Sequence, residues 1–165
     1  ITLISKLTRF FNYSHEKPGV KALDTNVIIH GRGLNGELIT VPEVLNELKS
    51  REASTSAHGF QIDTFTPSKQ SIEKVNEKAK GINSKASEVD RKLLALAMEK
   101  NIPLMTDDKE LQNLGLHLEV DVEGFMDPVT DEKLSWNMKC PVCGSENSCN
   151  CGVSQVRQLD RRSSV

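Results

Sequence analysis

The strongest constraint on this chain is the alternation of short apolar runs with helical patterns, with aspartate marking the end of two of the runs. Val20-Lys-Ala-Leu23 reads as a buried strand and stops at Asp24-Thr25-Asn26, a polar trio able to cap a helix starting near Val27. Gly31 and Gly33 close that element. Pro42 stands at a favoured first helical position, and Val44, Leu45 and Leu48 mark one apolar face. Ser50 to Gly59 is polar and reads as helix or loop, and Phe60 to Thr66 has strand-like residues. Pro67-Ser68 precedes a helix carrying Ile72, Val75 and Ala79 that ends near Gly81. Ser84 or Ser87 caps the next helix, whose Val89, Leu93, Leu94, Leu96 and Ala97 form a broad buried stripe. Ile102 to Thr106 is a strand, Asp107-Asp108 opens a short helix through Leu111 and Leu114, and Leu116 to Val122 reads as a last strand. Strands and helices in this order argue for a parallel α/β sheet.

At 165 residues the chain holds one ordinary domain and an appendage. Aromatic residues make up 4%, too few for a base-stacking surface in the main body. No apolar run reaches the roughly 18 residues a membrane span needs. Ile1 to Phe11 lacks a long apolar centre with a small-residue cleavage site, so it reads as a short amphipathic helix rather than a secretory signal. The net charge of -2 is unevenly spread. Residues 1–21 carry +3, residues 22–132 carry -8 and residues 133–165 carry +3. An acidic body repels a polyanion unless cations intervene, and the basic ends could supply phosphate contacts or be solvated tails.

Carboxylates gather where a parallel sheet binds its ligands, beyond the carboxyl ends of strands. Asp24 follows the first strand, and Asp107 with Asp108 follows the strand ending at Thr106. Glu47 borders the buried face of its helix, next to Leu48. Asp90 lies in the first turn of its helix, on the side of Leu93, Leu94 and Ala97. Taken singly, each acid is an ordinary cap or surface residue. Together on one rim they repel unless divalent cations neutralise them, and hard oxygen ligands suit Mg²⁺ or Mn²⁺. Such ions activate water for phosphodiester cleavage, so no histidine base is needed. His30, His58 and His117 read as structural or exposed.

The order Asp24-Thr25-Asn26, Glu47, Asp90, Thr106-Asp107-Asp108 resembles the four acidic motifs of PIN-domain nucleases. More narrowly, the chain looks like the archaeal Nob family, endonucleases that mature the 3′ end of small-subunit ribosomal RNA. The similar stretches are Ala22 to Gly31, Val41 to Glu52, Pro67 to Ile72, Ser84-Lys85, Leu94 to Ala97 and Thr106 to Asn113, within residues 20–122. The resemblance implies a PIN-like three-layer α/β/α fold with a central parallel sheet, followed by a small C-terminal zinc-ribbon-like cysteine module. It implies that Asp24, Glu47, Asp90 and Asp108 are catalytic and bind Mg²⁺ or Mn²⁺, with Asn26, Thr106 and Asp107 in support. Asp107 competes with Asp108, although the family pattern Thr-x-Asp selects the latter, and Glu110 is a candidate peripheral acid. The implied activity is metal-dependent endoribonuclease cleavage of precursor ribosomal RNA during small-subunit maturation. The implied partners are RNA and the pre-ribosomal particle, in the cytoplasm and away from membranes. Two alternatives stand beside it: a toxin-type PIN ribonuclease acting on transfer or messenger RNA, and a PIN module that binds RNA or partners without cutting. A phosphoacceptor receiver domain is excluded, because its early acidic pair and late strand-end lysine are missing.

All four cysteines lie in one stretch, Cys140-Pro-Val-Cys143 and Cys149-Asn-Cys151. Their confinement argues against a disulfide framework and for a reducing compartment. Cys-x-x-Cys followed by Gly144 resembles a zinc knuckle, so structural Zn²⁺ held by Cys140, Cys143, Cys149 and Cys151 is expected, with two disulfides or a degenerate module as alternatives. The second pair departs from the family ribbon, being Cys-x-Cys after five residues. The expected layout is an N-terminal extension (1–19), a nuclease domain (20–126), a linker (127–138), a cysteine module (139–153) and a basic tail (154–165). Lys139, Arg157, Arg161 and Arg162 are the expected contacts to RNA phosphates.

Overall fold

The computed structural model describes residues 19–31, 33–50, 61–129 and 131–160. The expected helix over Ile1 to Phe11, the polar segment after Ser50 up to Phe60, His58, Arg161 and Arg162 lie outside them. Five strands build one sheet: β1 (Lys21–Leu23), β2 (Leu38–Thr40), β3 (Ile62–Thr64), β4 (Leu104–Met105) and β5 (Val122–Glu123). Their order is β3-β2-β1-β4-β5, and every neighbouring pair is parallel. The helices between them are α1 (Thr25–His30), α2 (Pro42–Ser50), α3 (Lys69–Gly81), α4 (Glu88–Lys100) and α5 (Lys109–His117). This is the expected central parallel sheet flanked by helices.

Packing follows the apolar stripes. α1 packs with α2, while α4 lies against α3, α5 and β1. Leu93, Leu94 and Leu96 of α4 are buried with Leu23 and Leu104 of the two central strands, as are Leu111 and Leu114 of α5. Each such side chain stabilises the fold by about 1.5–3 kcal/mol relative to exposure. The order of the strands fixes where function can sit. The chain runs outward from β1 through β2 to β3, then returns to lay β4 on the other side of β1. The crevice at the carboxyl ends of β1 and β4 is therefore a topological switch point, the place where open α/β sheets receive ligands.

Two readings of the sequence need correction. Leu116 to Val122 is not a strand. α5 runs through His117, Glu119 turns with a positive φ of 59°, and only Val122 and Glu123 join the sheet. Leu116, Leu118, Val120 and Val122 alternate with polar residues and so mimic a strand, but the amides of Leu118 and Val120 both return to Gly115 O and close the helix. The limits of the cysteine module also move outward. β6 (Trp136–Lys139) pairs antiparallel with β7 (Val156–Leu159), placing Trp136 opposite Leu159 and Lys139 opposite Val156. Residues 136–138, assigned to the linker, and 156–159, assigned to the tail, are thus the two strands that carry the cysteine loops.

The module is fastened to the α/β body. Asn113 exchanges two hydrogen bonds with Leu134, donating to its carbonyl at 2.9 Å and accepting from its amide at 2.7 Å. His117 Nε2 lies 2.9 Å from the same carbonyl, so this ring nitrogen carries the proton. Trp136 N donates to Ile82 O, and Asn83 Nδ2 donates to Trp136 O. Arg157 of β7 pairs with Glu110 of α5 at 2.6 Å and lays its guanidinium 3.5 Å over the Trp136 ring.

Candidate active site and metal centre

Asp24 ends β1 and caps α1, and it is 7% exposed. Its Oδ1 accepts from Thr25 N at 2.6 Å, and its Oδ2 accepts from the Thr106 hydroxyl at 2.7 Å. Desolvation pushes its pKa above the usual carboxylate range, outweighing these two hydrogen bonds. The charges of Asp90 and Asp108 raise it further. β1, β4 and α4 thus bring Asp90 and Asp108 near enough for their charges to be felt at Asp24. Glu47 joins through Thr25, whose hydroxyl donates to Glu47 Oε2 at 3.3 Å.

Each acid owes its position to a local structural duty. Asp108 caps α5, its Oδ1 accepting from the amides of Glu110 and Leu111 at 2.8 and 3.0 Å. Asp90 completes a capping box, its Oδ2 accepting from Ser87 N while Ser87 Oγ accepts from Asp90 N. Asp24, Asp90 and Asp108 therefore all stand at helix N-termini, where the peptide dipoles offset part of their repulsion. In Glu47, Asp90 and Asp108 one oxygen is held by the protein, leaving the other without a protein partner among the described residues. That donor set is hard, anionic and pre-oriented, which fits a divalent cation of the Mg²⁺ or Mn²⁺ type. Among the described residues only the four cysteines, and not these acids, stand close enough together to share one ion directly.

Thr106 is the hub. It is fully buried, donates to Asp24 and accepts from Asp108 N at 3.1 Å. Its carbonyl accepts from Gln112 Nε2 at 2.7 Å, and Gln112 is itself buried. Thr106→Val keeps the shape but strips both bonds. It should destabilise the protein by about 1–3 kcal/mol, because a buried donor and a buried acceptor are left unpaired. Urea unfolding of the variant measures this, and an unchanged midpoint would remove Thr106 from the network.

The supporting residues divide. Thr106 supports Asp24 as expected. Asn26 is exposed, and among the described residues no hydrogen bond ties it to the acids. Asp107 is occupied elsewhere: its Oδ1 accepts from the amides of Phe125, Met126 and Asp127 at 2.7, 3.0 and 3.2 Å. Burial opposes its ionisation, yet these amides hold its carboxyl below the usual range. Gly124 lets that loop close, since a Cβ there would collide with Asp127 O. Asp107 thus shapes the loop, while the charge of Asp108 is felt at Asp24. Glu110, the candidate peripheral acid, already has protein partners. It accepts from Ser84 Oγ, Lys85 N and Arg157 Nη2 and joins the body to the cysteine module. Thr25 and Gln112 were missed as positioning residues. Thr25 stood inside the polar trio, and Gln112 lies one helical turn after Asp108 on a buried face.

The cysteines form a second centre. Their four Sγ atoms lie within 4.8 Å of one another, and no disulfide joins them. A tetrahedral Zn²⁺ with Zn–S bonds of about 2.3 Å needs sulfurs about 3.8 Å apart, so the shortened spacing still closes a four-sulfur site. The knuckle turn is set by Gly144 N donating to Cys140 O at 2.9 Å, with Gly144 at a positive φ of 73°. Backbone amides of Cys143 and Val142 lower the Cys140 thiol to about 6. Cys151 N pulls Cys149 down as well, but Cys140 and Cys143 beside it prevail and push it up to about 11. Lys139 pairs with Glu146 at 3.2 Å, and Arg157 is engaged with Glu110, so both expected phosphate contacts already have protein partners.

The family described as the PIN domain of ribonuclease matches residues 22–99, which span Asp24, Glu47 and Asp90. Endoribonuclease Nob1 of Methanocaldococcus jannaschii is 35% identical over 153 residues, covering 85% of this chain and 78% of that protein. The chain belongs to the Nob family of PIN-domain endoribonucleases. Endoribonuclease Nob1 of Archaeoglobus fulgidus is 28% identical over 148 residues, with 77% and 88% of the two chains covered. Ribonuclease VapC1 of Thermoplasma acidophilum is 26% identical over 167 residues, with 88% and 81% covered. Among the described residues no helix is long and apolar enough to cross a membrane.

Proposed function

We propose that the chain is a divalent-metal-dependent endoribonuclease that cuts precursor ribosomal RNA during small-subunit maturation. The observation that carries the chemistry is the buried Asp24, whose carboxyl is raised by burial and by Asp90 and Asp108 across the switch-point crevice. Asp24, Glu47, Asp90 and Asp108 would hold Mg²⁺ or Mn²⁺. When bound, such an ion supplies Lewis-acid polarisation of the phosphate and eases deprotonation of water. The chain's own part is positioning. Thr106 and Thr25 N fix both oxygens of Asp24, the Thr25 hydroxyl steers Glu47, and two helix caps hold Asp90 and Asp108. The ribosomal substrate rests on the family resemblance, and the cysteine module favours it over the toxin-type reading. Reduced cysteines fit a cytoplasmic setting. Arg161 and Arg162, directly after β7, would add phosphate contacts, as would Lys139 if RNA displaces Glu146.

The test is incubation with a model precursor RNA spanning the 3′ maturation site of the small-subunit RNA, with and without Mn²⁺. A single metal-dependent cut is expected. Cleavage without divalent metal would refute the mechanism, and preference for transfer or messenger RNA would favour the toxin-type reading.

A further inference from the structure

A second feature lies around the α4 N-terminus from the acids. A groove of about 810 Å³ runs between α3, the loop from Asn83 to Lys85, the first turn of α4 and the β6–β7 ribbon. Lys80, Lys85, Arg91 and Arg157 line it, with Asn76 and Asn83 between them and no carboxylate among the lining residues. Residues 22–132 carry a net charge of -8, yet three cations of that stretch line the groove together with Arg157 of the ribbon, which is paired with Glu110. Only Ala79 and Met138 among its lining residues are apolar and none is aromatic, and the polar heads of the others suit a charged, solvated polymer backbone.

The groove is built rather than incidental. Arg157 is held by Glu110 and stacked on Trp136, and its buried Nε has no partner among the described residues. Arg91 donates through its Nε to Ser87 O, which fixes its stem along the helix start. Asp90 and Arg91 are consecutive, and neighbouring helix residues point about 100° apart. One residue is felt at Asp24 while the next lines the groove. The groove and the acids thus share the first turn of α4.

We propose that this groove is the track for the sugar–phosphate backbone of the single-stranded RNA substrate, carrying it past the cysteine module to the acids. The proposal rests on the reading that RNA is the substrate. The groove offsets the repulsion between an acidic body and a polyanion beside the start of α4. Lys80 and Lys85 are exposed and supply charge by counterion release, while Arg91, held along the helix start, supplies an oriented guanidinium.

The experiment measures binding of a fluorescent single-stranded RNA to the full chain in an Asp24→Asn background. Affinity is then read without cleavage and without a chelator that would strip zinc. The double variant Lys80→Ala/Lys85→Ala should bind about tenfold more weakly at low salt. Its slope of log affinity against log salt should fall by about 1.4, because each lost single-strand phosphate contact removes about 0.7. Lys74→Ala/Lys78→Ala removes the same charge from the side of α3 facing Gly81 and Met98, and should change affinity less than twofold. Unchanged affinity and slope in the groove variant, or equal losses in both doubles, overturn the proposal. Should the groove double fail to retain zinc and the unfolding midpoint, Lys80→Gln and Lys85→Gln singly should each give half the slope change, and no change in either overturns it. A groove variant that still binds and cuts RNA as the parent does refutes the track and spares the nuclease reading. Loss of binding in the groove variant, with no cleavage by the unsubstituted chain, refutes the nuclease reading alone.

Discussion

Asp24→Asn is expected to lower RNA cleavage by at least about a hundredfold while the protein stays folded, since loss of even an outer partner of a metal ligand costs ten- to a hundredfold. Asparagine keeps the shape and can still accept from Thr25 N, but it brings no negative charge to the crevice. The stability change should run the other way. Burial, ahead of the charges of Asp90 and Asp108, raises the pKa of Asp24 above its ordinary 3.8. The folded protein therefore holds this proton more tightly than the unfolded chain. Below pH 3.8 both states are protonated and Asp24 costs nothing. As pH rises from there through the raised folded value, stability is lost, and above it the whole penalty stands. Metal-free Asp24→Asn should accordingly match the parent protein in acid and exceed it at neutral pH. Metal should narrow that gap, because it stabilises only the parent strongly. Cleavage assays with unfolding curves at two pH values check this. Full activity in the variant would remove Asp24 from the site, and a loss of stability at neutral pH would mean that its hydrogen bonds outweigh its buried charge.

Glu47 and Asp90 do not share this simple sign. Clustered repulsion alone suggests that removing either stabilises the metal-free protein. Asp90, however, closes a capping box with Ser87, so its loss also frees the Ser87 amide.

How much could be read beforehand depends on the range of the forces involved. The helix starts at Pro42, Ser68 and Ser87 and the acids at strand ends come from local chemistry, and the structure places them there. The strand order is set by long-range burial, which no window of residues contains, so the meeting of Asp24 with Asp90 and Asp108 rested on the family pattern alone. The choice between Asp107 and Asp108 turned on a loop 18 to 20 residues further on, whose amides take Asp107. The false strand over Leu116 to Val122 arose because period-two alternation says nothing about where a helix closes. The ribbon strands were hidden for a related reason. Val156-Arg-Gln-Leu159 is half polar and largely exposed, and it pairs because the cysteine loops bring it to Trp136-Asn-Met-Lys139. Arg157 looked like a tail cation until its partners Glu110 and Trp136, 47 and 21 residues away, were in view.

Removal of zinc should unfold residues 136–160 and leave the nuclease body intact. The ribbon has almost no apolar core of its own. Cys140 is its one buried hydrophobic residue among those described, while Val142, Val153, Val156 and Leu159 are exposed. The buried core cluster draws on residues from Ala22 to Leu114 and none from the ribbon, so the two parts should melt separately. A structural zinc contributes about 10–16 kcal/mol of apparent binding energy, far beyond what two four-residue strands can replace. The single tryptophan reports the event: Trp136 lies under Arg157 on β6, and stripping the metal should expose it and shift its emission to longer wavelength. The thiols give the pH dependence. Without metal, Cys140 is lowered to about 6 by the amides of Cys143 and Val142, so it is mostly thiolate at neutral pH. Cys149, despite the Cys151 amide, is pushed up to about 11 by Cys140 and Cys143, so its proton must leave when zinc enters. Zinc affinity should therefore climb with pH through the neutral range, with proton release that buffers of different ionisation enthalpy reveal in calorimetry. Cys149→Ser should weaken binding and lower that release. Protein purified under reducing conditions that contains no zinc, or whose tryptophan emission ignores chelation, would mean that the sulfurs cluster for some other purpose. The ribbon wall of the RNA groove would then have to stand without metal, which its exposed surface gives no means of doing.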